Sequence, residues 1–182
     1  ATPAWEAPAS SGNTSVSGAG LIAKYCTDKV AQAREGKLPK IIGFEKETDM
    51  ICEILGRKYK ANLLITGEAG VGKTSLLNAF FTRLAEDRVP DFIKGYRALE
   101  LDLTALGADA SYKGEVEDRF KKLITEMEQT RSAILIIESL DKLFDKNGAL
   151  CGAADILKQE TAKGQLLLLC TSSVEGFTKN IE

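Results

Sequence analysis

Apolar positions in this 182-residue chain come in short blocks whose period switches between that of a helix and that of a strand. Residues 1–20 lack such blocks. Small, polar, Pro and Gly residues dominate there, as in a flexible linker, and Trp5 is the one large apolar group. Helical spacing begins at Leu21, runs to about Arg34 and breaks at Gly36 and Pro39. A second helix fits 45–59, with Met50, Ile51, Ile54 and Leu55 on one face. Asn62–Thr66 is a short apolar run suited to a buried parallel strand. A glycine-rich turn leads to a helix over about 72–87, with Leu76, Leu77, Phe80, Phe81 and Leu84 as its buried stripe.

Pro90 and Gly95 mark a loop. Arg97–Leu103 alternates like a strand, with Leu99, Leu101 and Leu103 on one face. A polar stretch from Thr104 precedes a helix near 115–129, whose apolar side is Phe120, Leu123, Ile124 and Met127. Ala133–Ile137 predicts another buried strand, about 153–163 a helix, and Gln165–Thr171 a fourth strand. Strands alternating with helices predict an α/β fold: a parallel sheet with helices on both faces, in three αβα layers.

Composition narrows the chemistry. The chain has no histidine, which excludes Ser-His-Asp and Cys-His catalysis and histidine metal sites within these residues. Lys and Arg total 24 against 26 Asp and Glu, a net charge of −2, which argues against a generally basic nucleic-acid binder. Cys26, Cys52, Cys151 and Cys170 form no CxxC pair and are expected to be reduced thiols of a cytoplasmic protein. No apolar run reaches the roughly 18 residues that span a membrane.

The glycine-rich turn carries the strongest chemical signal. Gly67-Glu68-Ala69-Gly70-Val71-Gly72-Lys73-Thr74 matches GxxxxGK[ST], with a buried strand before it and an amphipathic helix after it. Its backbone N–H groups and the helix N-terminus are suited to phosphates. Lys73 is expected at the β- and γ-phosphates of ATP or ADP, and Thr74 at Mg²⁺.

Such a loop needs a second element, an apolar strand ending in Asp-Glu. The candidate is Ile134-Leu135-Ile136-Ile137-Glu138-Ser139. Glu138 occupies the metal-side position, with a reach one methylene longer than Asp. Ser139 occupies the position of the catalytic base and cannot act as a carboxylate. Asp141, three residues after Glu138, either brings a carboxylate nearby or is a solvated or capping residue.

With both elements placed, the sequence resembles a AAA+ module, in particular the first ATPase domain of the double-ring Clp chaperones of ClpB and ClpV type, over about residues 21–180. Ala33-Arg34-Glu35-Gly36-Lys37-Leu38 with Ile41-Ile42-Gly43 is similar to the family's AREGKLDPVIG segment, which implies that Ile41, Ile42 and Gly43 border the adenine. Ser111-Tyr112-Lys113-Gly114-Glu115 followed by Glu117-Asp118-Arg119 resembles KYRGEFEER. That match implies a pore loop of Tyr112, Lys113 and Gly114, gripping polypeptide threaded through a hexamer. Leu157-Lys158 through Leu166 resembles LLKPALARGEL, and Ser172 or Ser173 falls at the polar sensor position.

The resemblance implies a protein-remodelling ATPase that works as a homo-hexamer on polypeptide substrates, with neither nucleic acid nor membrane as partner. The arginine finger and the helical lid would lie beyond Glu182, making the chain a fragment of the module. Phe44 stands where the family has Arg, and Glu138-Ser139 stand in place of Asp-Glu, so hydrolysis in this module is expected to be impaired. Two other functions fit the same phosphate loop: a structural ring subunit that holds nucleotide without turnover, as in type VI secretion, and a STAND-type signalling NTPase.

Overall fold

The computed structural model describes residues 19–56, 62–67, 72–112, 114–145, 150–163 and 166–173. Trp5, the linker reading of residues 1–18, Glu68–Val71 and Lys113 lie outside them.

In chain order the elements are α1 (Ala19–Tyr25), β1 (Cys26–Asp28), α2 (Lys29–Arg34), α3 (Glu45–Leu55), β2 (Asn62–Gly67), α4 (Lys73–Ala85), β3 (Arg97–Leu101), α5 (Leu103–Gly107), α6 (Glu115–Gln129), β4 (Ala133–Ile137), α7 (Leu140–Leu143), α8 (Cys151–Ala162) and β5 (Leu168–Ser173). A single 3₁₀ turn, Asp91–Ile93, joins α4 to β3. The sheet order is β1-β3-β4-β5-β2. The four strands expected from the sequence pair in parallel, with β4 buried along its whole length.

The two faces of this sheet have separate cores, as the alternation of side chains along a strand requires. Leu135, Ile137, Leu168 and Cys170 face α1, α5, α6, α7 and α8, and Phe120 and Leu123 of α6 are fully buried against them. Ile134, Ile136, Leu167 and Leu169 face α2, α3 and α4, where Phe80 is fully enclosed. Each such aromatic contributes roughly 1.5–3 kcal/mol by leaving water, which is why the two stripes were visible in the sequence.

Three expectations change. The helix read from Leu21 to Arg34 is two short helices split by β1, which pairs antiparallel with β3, Cys26 opposite Leu101 and Asp28 opposite Leu99. The sheet is therefore mixed. The cause is local: Asp28 Oδ1 accepts from Ala31 N at 3.0 Å and caps α2, so the helix restarts there. The strand at Arg97–Leu103 ends at Leu101. Asp102 Oδ1 accepts from Ala105 N at 3.0 Å, turning the following residues into α5 where a polar stretch was read. The helix read over 45–59 is helical to Leu55, and Gly56 is its C-cap, packed beneath the ring of Phe92; residues 57–59 lie outside the described residues.

Candidate functional site

The C-terminal ends of β2, β4 and β5 and the N-terminus of α4 meet at one edge of the sheet, where α/β folds bind ligands. Gly72 is the N-cap of α4 at φ 94°, a left-handed conformation that favours glycine. A Cβ there would also lie 3.3 Å from the Phe44 ring. Phe44 is the N-cap of α3 and is itself left-handed at φ 62°. The Phe44 ring thus lies against Gly72, and Ile41, Ile42 and Gly43 precede it in the chain. Ile42 is 91% exposed, a large apolar side chain open to solvent.

Lys73 Nζ donates to the Gly67 carbonyl at 2.7 Å, closing the two ends of the loop on each other. Thr74 Oγ1 donates to Glu138 Oε1 at 3.0 Å. The longer side chain of Glu138 therefore reaches the helix hydroxyl. A hydroxyl and a carboxylate side by side are the oxygen donors that Mg²⁺ takes from a protein while it keeps most of its waters, so these residues fit the metal.

Ser139 is left-handed at φ 61° and ψ 54°, and its N–H donates to Thr171 Oγ1 at 3.2 Å. Ser172 is fully buried, and its hydroxyl donates to Asp141 Oδ1 at 3.1 Å. Alternation along β5 puts Ser172 with Leu168 and Cys170, on the face away from α4. Thr171 and Ser173 fall on the α4 side, Ser173 in register with Gly67 of β2. Asp141 thus partners Ser172 on that far face.

Two charged residues near the site escaped the sequence reading. Lys29 Nζ pairs with Glu100 Oε2 at 3.0 Å. Burial, followed by the neighbouring Glu138 carboxyl, pushes the Glu100 pKa up to about 7 despite Lys29. The available signal was a carboxylate between Leu99 and Leu101 of a strand.

Tyr112 belongs to the connection between α5 and α6 and is 58% exposed. Its hydroxyl donates to Asp118 Oδ2 at 3.2 Å, which holds its pKa above the usual phenol value. Gly114 is the N-cap of α6 at φ 92°. Arg119 anchors the base of this loop. It donates to the carbonyls of Leu106 at 2.9 Å, Ala108 at 2.6 Å and Asp109 at 3.3 Å, and pairs with Glu115, which also accepts from Ser111 N at 2.8 Å. Arg119 was legible only as part of a motif; its work as a clamp needed the fold.

A mostly parallel sheet with a lysine-bearing glycine motif at its C-terminal edge and a carboxylate against the following Thr defines a P-loop nucleotide-binding class. The family model described as "ATPase family associated with various cellular activities (AAA)" matches residues 63–175, and the chain belongs to that family. The chain is 35% identical over 173 residues to the "ATP-dependent Clp protease ATP-binding subunit ClpA homolog CD4B, chloroplastic" of Solanum lycopersicum, covering 94% of this chain and 19% of that protein. It is 35% identical over 157 residues to "ATP-dependent Clp protease ATP-binding subunit ClpC" of Staphylococcus saprophyticus, covering 85% of this chain and 19% of the relative. The chain thus spans about a fifth of the length of these relatives.

Among solved structures, Hsp104 with ATPγS and FITC casein superposes with a TM-score of 0.76 at 34% identity, over 87% of this chain and 28% of the other. The S. cerevisiae Hsp104-ADP complex gives 0.76 at 34% identity over 88% of this chain and 23% of the other. The chain is a AAA+ module of Clp type, with the α/β fold expected of one.

Proposed function

We propose that this chain binds ATP and ADP with Mg²⁺ as the first ATPase module of a Clp-like hexamer that threads polypeptide through a central pore, and that hydrolysis at its own site is impaired. The observation that carries the binding half is the pair of contacts Lys73–Gly67 and Thr74–Glu138, which bring the phosphate loop and the metal-side strand together. Lys73 would leave the Gly67 carbonyl for the β- and γ-phosphates. Thr74 and Glu138 would hold Mg²⁺, which supplies neutralisation of phosphate charge when bound. Ile41, Ile42 and Gly43 would border the adenine, and burial of Ile42 under the base would remove its exposed surface from water. Glu68, Ala69, Gly70 and Val71 of the loop complete the cradle in this reading.

Impaired hydrolysis rests on Ser139, which offers no carboxylate to polarise a water. A missing base costs about 10²–10⁴-fold in rate. Tyr112 supports the threading half: an exposed aromatic on an anchored loop contacts varied peptide sequences through its ring. Lys113 and Gly114 share that loop in this reading, and the casein in the Hsp104 structure is consistent with it.

The test is isothermal titration of ATP with excess Mg²⁺. The chain should bind, and Lys73→Ala should lose at least tenfold in affinity. No binding by either at millimolar ATP would end the reading.

Ser139 also favours a second reading, a ring subunit that keeps its nucleotide as structural support, as a type VI secretion component would. Hydrolysis by the whole protein that persists with any second ATPase module disabled, and disappears with Lys73→Ala, would eliminate that alternative.

A further inference from the structure

Phe44 has no part in the binding reading above, yet local rules disfavour it where it stands. A helix N-cap is ordinarily an extended residue whose side-chain oxygen accepts from the first turn. Phe44 is the N-cap of α3, makes no side-chain cap bond and is left-handed at φ 62° and ψ 24°. A bulky residue in that region is a conformational outlier. Gly43 before it is also left-handed, at φ 104°. The surroundings over-determine this backbone. The buried Thr48 donates to the Phe44 carbonyl twice, through its N–H at 2.9 Å and through its hydroxyl.

The Phe44 side chain packs against the core between the sheet and α2, α3 and α4. Its far end goes further: Cζ and Cε1 lie 3.3 and 3.9 Å from where a Cβ on Gly72 would stand. Gly72 is the last glycine of the phosphate-loop motif, and its carbonyl accepts from Leu76 N at 2.8 Å to open α4. The conformation of Gly72 therefore aims the first-turn N–H groups of α4, the donors that a helix N-terminus offers to phosphate. Folding alone does not call for a ring at position 44. Glycine or asparagine would take a left-handed N-cap with less strain. What the ring adds over a leucine is its far end, and that end meets Gly72.

We propose that Phe44 is a positioning residue for the phosphate loop: the far end of its ring holds Gly72 in the left-handed conformation and so presents the first turn of α4 to the nucleotide phosphates. The inference rests on the nucleotide-binding reading above. Thr48, by pinning the strained Phe44 backbone, gives the ring a fixed base.

The test pairs amide hydrogen exchange on the nucleotide-free full chain with calorimetry of ATP binding in excess Mg²⁺, on Phe44→Leu. Leucine keeps an apolar side chain against the core and lacks the ring atoms that face Gly72. Exchange at the Leu76 amide, which reads the Gly72 carbonyl, should speed up about tenfold. The Leu135 amide, bonded to Leu167 O at 2.9 Å within the sheet, should keep its rate. ATP affinity should fall about tenfold, the size of effect expected of a residue that touches a binding element and not the ligand. Thr48→Val loosens the same ring without altering it. It should shift the Leu76 rate and the affinity in the same directions, and it carries the test should Phe44→Leu fail to fold.

Unchanged Leu76 exchange would overturn the inference even if ATP bound more weakly, since the ring would then act on the nucleotide itself. Equal acceleration at Leu76 and Leu135 would overturn it too, because the ring would then support the whole fold. So would faster Leu76 exchange with ATP affinity unmoved. Absence of ATP binding by the unaltered chain would overturn the nucleotide-binding reading and the role toward phosphate with it, whereas the Leu76 rate would still report the hold of the ring on Gly72.

Discussion

Ser172 on β5 donates its hydroxyl to Asp141 on α7 across 3.1 Å, tying the end of a central strand to the helix that follows β4. The bond sits on the sheet face away from the phosphate-loop helix. It contributes to stability as a hydrogen bond to a charged group, on the order of 1.5 kcal/mol. Urea denaturation of Ser172→Ala, Asp141→Ala and the double variant should give a coupling energy of about 1 kcal/mol. Additive effects within about 0.3 kcal/mol would show that the two side chains act independently.

Gly72 carries two constraints at once, a left-handed φ of 94° and the Phe44 ring 3.3 Å from where a Cβ would stand. Gly72→Ala should lower stability by about 1–2 kcal/mol for the backbone alone. It should also weaken ATP binding, because the strain falls at the first turn of α4. Combining it with Phe44→Ala should recover only the ring's share. Thermal denaturation and calorimetry on the three variants check this.

Glu138 already reaches Thr74, so it does not need shortening. On the proposed reading, the position that limits turnover is Ser139. Ser139→Glu in the assembled protein should raise ATP turnover about a hundredfold. The left-handed backbone at φ 61° opposes the new side chain by about 1 kcal/mol, too little to cancel that gain. Steady-state phosphate release that stays at the level of the unaltered protein would show that another step limits turnover.

Arg119 spends its guanidinium on three carbonyls and Glu115, whereas Tyr112 stands mostly in solvent. Arg119→Lys should therefore speed hydrogen exchange across 106–115 by about tenfold, since an ammonium lacks the planar fork. Tyr112→Ala should leave stability within about 0.5 kcal/mol. Equal exchange in Arg119→Lys and the unaltered chain would remove Arg119 from the role of anchor.

Cys26, Cys52 and Cys170 are free thiols, and burial pushes the pKa of each up, Cys26 to about 12. A raised pKa keeps the unreactive thiol form as the pH rises past that of an ordinary cysteine. Between pH 7 and 9 these three should react with Ellman's reagent far more slowly in the native chain than in urea. Fast native labelling of Cys170, mapped by mass spectrometry, would contradict the burial.

Much of the fold was legible because burial imposes a period. The α6 stripe of Phe120, Leu123, Ile124 and Met127 follows the 3.6-residue repeat, and its predicted span, 115–129, is the observed one. The Cys26–Asp28 strand was not legible. Three residues are too few to show a period, and their pairing partner, β3, lies more than 70 residues away. The phosphate-loop motif was legible because glycine, lysine and threonine at fixed spacing have one main use before a helix. Glu100 was not, because a single carboxylate in a strand gains meaning only from what lies across the sheet.

The sequence by itself determined the alternation of strands and helices, the phosphate-loop motif, and the absence of a carboxylate at Ser139, since each is written in local order and spacing. Only the tertiary structure decided that Glu138 meets Thr74, that Lys29 pairs with Glu100, and that Ser172 turns toward Asp141. Those relations depend on strand register and on which face each residue occupies. A shift of one residue reverses the face, and only the packing of both cores chooses between the two.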